Sequence, residues 1–280
     1  MPERPDLEYV VPILARELAG RTVKAVRVKK PVVLRVAVPG KFEELVPGKR
    51  FGAVARRAHF VLFALPPYEM AIAPMLAGRF ALAEIGGKGV GDLAVAFELD
   101  DGRELRYRDD VQMGKVYLIE KGHWDAVPGL AKIGIDVLSP AFTREAFRAL
   151  ARKRRDQAKI FLMDKAALDA MGNAYADEIL FAARVHPKTF VKTLSDKELD
   201  ALHDAIVEVL GEARATIAAR KPALDEKLRD FLKVRGRHGE ACPRCGTTIR
   251  AAGVHGHDAD FCPSCQPATR KSGIVDWRKA

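Results

Sequence analysis

The sequence predicts an α+β protein: an N-terminal antiparallel sheet or sandwich, then a helical region, then a C-terminal zinc finger. Three patterns carry this prediction. Residues 22–120 alternate short runs rich in Val, Phe and Leu with turn residues, which is typical of antiparallel strands. From about residue 141, apolar residues recur at helical spacing. Four cysteines lie between residues 242 and 265, in two Cys-x-x-Cys pairs.

The first predicted element is a helix. Pro5 suits a first helical turn, and the acidic Asp6 and Glu8 complement the positive end of a helix. The apolar residues at helical spacing are Leu7, Val10, Val11, Leu14 and Leu18. The same stretch also suggests chemistry, because removal of Met1 would expose the secondary amine of Pro2. An α-amino group titrates at about 7.7–8.0, so it is partly unprotonated near neutral pH and can act as a nucleophile.

Seven short runs are predicted strands of the N-terminal region. They are TVKAVRV, VVLRVAV, FVLFAL, RFALAEI, LAVAFELDDG, ELRYR and KVYLI. Gly and Asp-Gly separate several of them, as expected for antiparallel connections.

Two later segments are predicted to be helical, at residues 143–185 and 195–219, with Thr143 and Ser195 as N-caps. The periodicity changes near residues 133–142, which we interpret as a domain boundary. The expected domains are 1–135, 136–235 and 236–270.

Composition limits the class of protein. A chain of 280 residues that is 48% hydrophobic can bury one large core or two smaller ones. It has 47 Lys and Arg against 37 Asp and Glu, a net charge of +10, which favours a polyanionic partner. Neither a run of about 20 apolar residues nor a signal-peptide pattern occurs. We therefore expect a soluble cytoplasmic protein without a membrane partner. A monomer is a separate expectation.

The strongest chemical signal is CPRCGTTIRAAGVHGHDADFCPSC. Its four thiolates, at Cys242, Cys245, Cys262 and Cys265, suit one tetrahedral Zn²⁺. Four sulfur ligands close the coordination shell, so the ion is predicted to be structural. A redox dithiol pair and unmetallated thiols are the alternatives. His255 and His257 are then residues of the intervening hairpin loop.

A second signal is MGNAYADEIL, where Gly172 and Asn173 interrupt a helical pattern. The backbone amides of the following helix and the Asn173 side chain could meet a phosphate. An ordinary helix stop followed by a new helix is the alternative.

Together these stretches resemble the formamidopyrimidine-DNA glycosylase and endonuclease VIII family. MPERPDLE is similar to its N-terminal start, KIFLMDKAALDAMGNAYADEILF to its helix-two-turns-helix motif, and VRGRHGEACPRCG with FCPSCQ to its zinc finger. The resemblance implies a β-sandwich domain, a helix-two-turns-helix domain and damaged DNA bound between them. It implies that the Pro2 nitrogen attacks C1′ of a damaged nucleotide, that Glu3 moves protons at the sugar ring, and that Lys159 and Asn173 contact DNA.

The sequence departs from the family pattern at two basic positions. His59, in RRAHF, stands where the family has a Lys used in catalysis and phosphate binding. His257 stands where the family has an Arg that grips phosphate. Histidine has an unperturbed pKa near 6.5, so two fixed positive charges become titratable. A strand histidine with a satisfied hydrogen bond is the alternative for His59.

Three further positions match the residues that the family inserts into the gap left by a flipped nucleotide. They are Leu76, Val111 and Met113. Leu and Met can act as apolar wedges, but Val111 cannot hydrogen-bond the orphaned base, which predicts weak opposite-base selectivity. Ordinary core packing is the alternative for all three.

The expected function is base-excision repair by a DNA glycosylase with associated AP lyase activity on oxidised or ring-opened bases or abasic sites. The alternative is a damage-binding protein of the same fold with little or no base excision. Pro2 and Glu3 favour the enzyme, whereas His59, His257 and Val111 favour the binding protein.

Overall fold

The structure is a computed structural model that describes residues 2–87, 91–169 and 171–268. The chain forms two compact units: unit 1 holds the residues up to 131 together with 214–227, and unit 2 holds 132–213 and the residues from 228 onward. These units are defined by compactness, and the three domain spans expected from the sequence stay a prediction. No helix within the described residues has the length and apolar character needed to cross a membrane. The monomeric state and the cytoplasmic location also stay predictions.

Unit 1 consists of two sheets and an N-terminal helix. Its elements are α1 (Arg4–Leu18), β1 (Val23–Val28), β2 (Leu34–Val36), α2 (Phe42–Leu45), β3 (Val54–Arg57), β4 (Phe60–Leu65), β5 (Tyr68–Ala73), β6 (Arg79–Glu84), β7 (Leu93–Leu99), β8 (Arg103–Arg108) and β9 (Lys115–Glu120). One sheet has the strand order β1-β7-β8-β6, and the other has the order β2-β9-β5-β4-β3. Among these strands, only β2 and β9 pair in parallel.

The two sheets enclose one apolar core, which confirms the predicted sandwich. The core contains buried residues of both sheets, including Phe63 and Ile72 from one and Phe80 and Phe97 from the other. The rings of Phe63 and Phe80 lie 6.2 Å apart across the core. The predicted N-terminal helix is also confirmed, since Leu7, Val10, Val11, Leu14 and Leu18 of α1 are all buried in this core.

Unit 2 is helical and ends in a small hairpin. Its elements are α3 (Arg144–Arg152), α4 (Ala158–Met163), α5 (Asn173–Ala182), α6 (Asp196–Arg220), whose last residues belong to unit 1, β10 (Arg250–Val254) and β11 (His257–Phe261). Both predicted N-caps are confirmed. The Thr143 hydroxyl accepts the Ala146 N–H at 3.2 Å, and Ser195 accepts the Glu198 N–H at 3.3 Å.

Packing of α3 against α6 is reinforced by a ladder of three ion pairs. Each pair joins an arginine of α3 to an aspartate of α6, four residues apart along both helices: Arg144 with Asp204, Arg148 with Asp200 and Arg152 with Asp196. The hairpin has a separate small core, made of Phe181, Val234, Cys242, Ile249 and Cys262. Two of the predicted zinc ligands therefore also belong to the apolar interior of the finger.

Candidate functional site

The N-terminal residues are fixed at the buried start of α1. Pro2 is buried, and Glu3, which precedes the first helical residue, is only 4% exposed. The Asp6 carboxylate accepts the backbone N–H of Glu3 at 2.7 Å, which satisfies one of the free donors at the helix start. The sequence therefore places a nucleophile candidate and a carboxylate side by side on a rigid element.

The tip of the β3–β4 hairpin presents His59, which is 9% exposed and lies with its ring 4.2 Å from that of Phe60. Ala58, at the same tip, has a φ of 51°, and its carbonyl accepts a hydrogen bond from Arg56 at 2.6 Å. Arg56 also pairs with Glu8 of α1 at 3.3 Å. This ion pair ties the helix that follows Pro2 and Glu3 to the strand that leads to His59.

The three residues predicted to be wedges are exposed. Leu76 is 54% exposed, Val111 52% and Met113 46%, although all three are large and apolar. Their alternative assignment as ordinary core residues is therefore wrong. Exposed apolar side chains grouped on loops are typical of surfaces that bind a partner.

Strand register explains why these residues lie on neighbouring loops. Ala73 of β5 pairs with Lys115 of β9, and Arg79 of β6 pairs with Arg108 of β8. Loop 74–78, which carries Leu76, therefore begins and ends beside loop 109–114, which carries Val111 and Met113. Both loops cross from one sheet to the other at the same end of the sandwich.

The loop that carries Val111 and Met113 is held in place by one buried carboxylate. Asp109 has no solvent exposure, and it accepts the N–H groups of Val111 at 3.2 Å, Gln112 at 3.0 Å and Gly114 at 2.7 Å. A Cβ at Gly114 would lie 1.8 Å from the Tyr107 hydroxyl, so only glycine fits there. The exposed apolar side chains thus project from a rigid turn.

Lys159, predicted to contact DNA, is completely buried in unit 2 and its amine donates to the Asp177 carboxylate. Burial lowers the pKa of Lys159. Burial also raises the pKa of Asp177 to about 6, although the positive charge of Lys159 acts in the opposite direction. The amine faces this carboxylate and not solvent, and a direct DNA contact by Lys159 stays a prediction.

Asn173 is the first residue of α5, as the interruption at Gly172 predicted. Its side-chain amide donates to the carboxylate of Asp258 at 2.8 Å, and the Arg235 guanidinium donates to the same carboxylate at 2.7 Å. Arg235 is also held by Asp177 at 3.0 Å. The predicted DNA contact at Asn173 thus adjoins an ion network that reaches from the helices to the finger hairpin.

The four cysteines form a site that fits zinc. Their sulfur atoms all lie within 4.8 Å of one another, with separations of 4.0 Å for Cys242 and Cys265 and 3.5 Å for Cys245 and Cys262. A tetrahedral ion with Zn–S bonds of about 2.3 Å requires sulfur atoms about 3.8 Å apart. The predicted single structural Zn²⁺ is therefore confirmed, with all four coordination positions taken by Cys.

Two histidines of the finger, His255 and His257, lie at the hairpin tip. His255 and Gly256 form the two-residue turn, both with positive φ, and His257 begins β11. Both histidine side chains are exposed. Phosphate contact by His257 and a catalytic role for His59 stay predictions.

Sequence patterns did not indicate Asp109, Arg235 or Asp258. Asp109 falls in the acidic pair after ELRYR, where it resembles an ordinary turn residue. Arg235 follows the helical region and Asp258 lies in the finger hairpin, 23 residues later. Only folding brings the two side chains to one site. Their separate sequence contexts contain no pattern that links them.

Comparison with known proteins relates consecutive segments of the chain to one family. Three family descriptions match in order: "Formamidopyrimidine-DNA glycosylase N-terminal domain" at residues 1–116, "Formamidopyrimidine-DNA glycosylase H2TH domain" at 133–221 and "Zinc finger found in FPG and IleRS" at 239–268. The formamidopyrimidine-DNA glycosylase of Symbiobacterium thermophilum is 34% identical over 273 residues, covering 95% of this chain and 90% of the relative.

Two solved structures share the fold over nearly the whole chain. The Lactococcus lactis Fpg in complex with DNA containing an abasic site has a TM-score of 0.84 and 25% identity, covering 95% of this chain and 100% of its own. MutM (Fpg) from Thermus thermophilus has a TM-score of 0.81 and 28% identity, covering 96% and 100%.

A β-sandwich, the H2TH helices and a four-cysteine finger, in this order, define a zinc-finger glycosylase of DNA repair. The chain belongs to the formamidopyrimidine-DNA glycosylase family.

Proposed function

We propose that this protein removes oxidised or ring-opened bases from DNA and cleaves the strand at the resulting or pre-existing abasic site, with the Pro2 nitrogen as nucleophile. One observation carries the proposal: Pro2 and Glu3 lie together at the buried start of α1, where Asp6 fixes the backbone of Glu3. The Lactococcus lactis relative, which is bound to DNA with an abasic site, supports the choice of substrate.

The chemistry follows from an amine beside a carboxylic acid. The lone pair of the Pro2 nitrogen attacks C1′, the ring C1′–O4′ bond opens, and Glu3 supplies the proton that O4′ takes up. Loss of the base, which leaves with a proton, gives an iminium between Pro2 and C1′. The iminium then accepts the electron pair released when a C2′ proton is removed. Elimination of the 3′ phosphate breaks the strand, and water releases Pro2 from the sugar.

The exposed apolar loops supply a means of reaching C1′. A base inside a duplex is stacked and shielded, so the damaged nucleotide must leave the stack first. Leu76, Val111 and Met113 project from two adjacent loops and can fill the gap that remains. Since the Val111 side chain offers no hydrogen bond, we expect little preference for the base opposite the lesion.

Unit 2 supplies the phosphate contacts in this proposal. Asn173 at the start of α5, Arg235 and His257 at the finger tip are polar groups of the kind that hold the DNA backbone. Lys159 is a positioning residue, because its buried amine holds Asp177, which in turn holds Arg235. Zinc contributes the shape of the finger and no reaction step.

The direct test is borohydride trapping on an oligonucleotide with one abasic site. Borohydride reduces the iminium to a stable amine, so the processed protein is expected to become covalently joined to the DNA. Met1 lies outside the described residues. If Met1 is retained, the Pro2 nitrogen becomes a tertiary amide without a nucleophilic lone pair, and trapping should fall to background. Intact mass identifies which form is present in each sample.

DNA binding must be measured alongside borohydride trapping. The glycosylase and the damage-binding protein are both expected to bind DNA, and only the glycosylase is expected to form the adduct. A protein with Met1 retained should still bind the same oligonucleotide, which shows that the loss is chemical. Equal trapping by both forms would contradict the role of Pro2. Tight binding by the processed form with no trapping and no base release would favour the damage-binding alternative.

A further inference from the structure

The carboxylate of Asp258 sits on groups that the proposed function assigns to DNA. Its Oδ1 accepts the Asn173 amide at 2.8 Å, and its Oδ2 accepts the Arg235 guanidinium at 2.7 Å. Asp258 comes directly after His257 in β11, and its side chain is 67% exposed. An exposed acid of the finger hairpin thus engages two donors that belong to other segments of unit 2.

One of the two donors, Arg235, is held in place by further contacts within unit 2. Arg235 is 21% exposed, and its Nη1 is fixed by Asp177 at 3.0 Å and by the backbone carbonyl of Asp258 at 3.3 Å. Asp177 is 1% exposed and is itself paired with Lys159. The other terminal nitrogen, Nη2, donates to the Asp258 carboxylate.

The charged groups around Arg235 have a net charge of the opposite sign to that of the whole chain. Lys159 and Arg235 carry two positive charges, whereas Asp177, Asp258 and Asp260 carry three negative ones when ionised, which gives a net charge of −1. The chain carries +10. Asp258 is the most exposed of these five groups, at 67%, so an approaching phosphate meets its negative charge first.

Asp258 is ionised at neutral pH. Partial burial opposes ionisation, but the hydrogen bond from Asn173 and the charge of Arg235 lower the pKa of the Asp258 carboxyl below its usual value. A carboxylate and a phosphate present similar pairs of anionic oxygens to a guanidinium, and either satisfies the same donors.

We propose that Asp258 is a built-in competitor of the DNA backbone, whose carboxylate occupies the donors of Asn173 and Arg235 until a phosphate displaces it. This inference rests on the proposed function. Its consequence is that every binding event must first break two hydrogen bonds of Asp258, which weakens binding to DNA of any sequence. Since phosphate contacts are independent of the base, the effect should be equal on damaged and undamaged duplexes.

The variant Asp258→Asn removes the charge and keeps the shape. We expect its affinity to rise by roughly two- to fivefold at low salt, the size of one exposed charge interaction. In the wild type, the displaced carboxylate keeps a negative charge near the bound phosphate, so part of the charge that Arg235 brings to the DNA is cancelled. The slope of log affinity against log salt should therefore steepen in the variant by up to about 0.9.

Anisotropy titrations measure both quantities on two short duplexes, one undamaged and one containing a tetrahydrofuran abasic analogue. Asp258→Glu keeps the charge and should stay near the wild-type affinity. Asp196→Asn is the matched control, because it makes the same charge change at an exposed aspartate that pairs with an arginine, Arg152, on the α3–α6 ladder. Zinc content and a thermal melt verify folding, and Asp258→Ser replaces Asp258→Asn if that variant loses zinc.

The outcomes separate this inference from the proposed function. A wild type that forms the borohydride adduct while Asp258→Asn binds DNA no more tightly would overturn the inference alone. An equal gain in Asp196→Asn would also overturn it, since net charge would then explain the effect. A stronger, more salt-sensitive Asp258→Asn in a protein that never forms the adduct would support the inference and contradict the lyase chemistry. If neither wild type nor variant binds DNA, both proposals are wrong.

Discussion

At the residue scale, the buried pair of Lys159 and Asp177 shows what an interior charge requires. A lysine amine without solvent contact is costly unless a carboxylate meets it, and Asp177 does so from the next helix. The same carboxylate receives Arg235 and the backbone N–H of Asp260. One aspartate therefore connects α4, α5 and the finger.

Replacing Asp177 with asparagine is expected to destabilise the protein by about 3 kcal/mol, because it leaves the Lys159 amine buried without a charge partner. Urea unfolding followed by circular dichroism gives the free energy of unfolding. Adding Lys159→Met removes the stranded charge and should recover part of the loss. If the double variant is as unstable as the sum of the two single variants, the two residues do not act as a pair.

The sequence could indicate Lys159 as a basic residue near the helix-two-turns-helix motif, but not its burial. Burial depends on Asp177, 18 residues further along, and on the finger, which comes later still. In contrast, the zinc ligands could be predicted in full, since their chemistry is encoded in local spacing.

At the element scale, the sequence predicted the strands that are rich in strong β-forming residues and missed two strands that are poor in them. The missed strands are β3, VARR, and β5, YEMAIA. Ala, Met, Glu and Arg have little preference for strands, and β5 extends between β4 and β9 because tertiary pairing overrides that weakness. The pairing of β5 with β9 then places the Leu76 loop beside the Val111 loop.

Replacing Leu76 and Met113 together with alanine is expected to slow release of a damaged base from duplex DNA by roughly tenfold, since apolar wedges offset part of the cost of unstacking that base. Both side chains are about half exposed, so stability should stay within about 0.5 kcal/mol. Val32→Ala, at another exposed apolar residue of unit 1, is the control. A similar slowing in the control, or no slowing in the double variant, would count against a wedge role.

At the scale of the whole molecule, the zinc ion organises one end of unit 2. Cys242 and Cys262 are buried with Phe181 of α5, so the finger core continues into the helices. The sandwich of unit 1 has its own core, and all four zinc ligands belong to unit 2.

The variant Cys262→Ser is expected to lose zinc and to bind DNA roughly tenfold or more weakly, because the hairpin that carries His257 loses its shape and its phosphate contacts. The β-rich signal in circular dichroism should persist, since it comes from unit 1. Zinc content and an anisotropy titration check the two effects. Full affinity in a zinc-free variant would refute the role of the finger in binding.

The order of the chain also has a consequence for synthesis on the ribosome. Unit 1 includes residues 214–227, from which Leu224 packs against the sandwich core and the Pro222 carbonyl accepts the Tyr9 hydroxyl. These residues are translated 83 to 96 positions after residue 131, which at about 5–20 residues per second is a delay of several seconds or more. The nascent sandwich therefore waits for its last segment while the locally folding helices of unit 2 emerge. Translation pauses before residue 227 would prolong the exposure of that unfinished core.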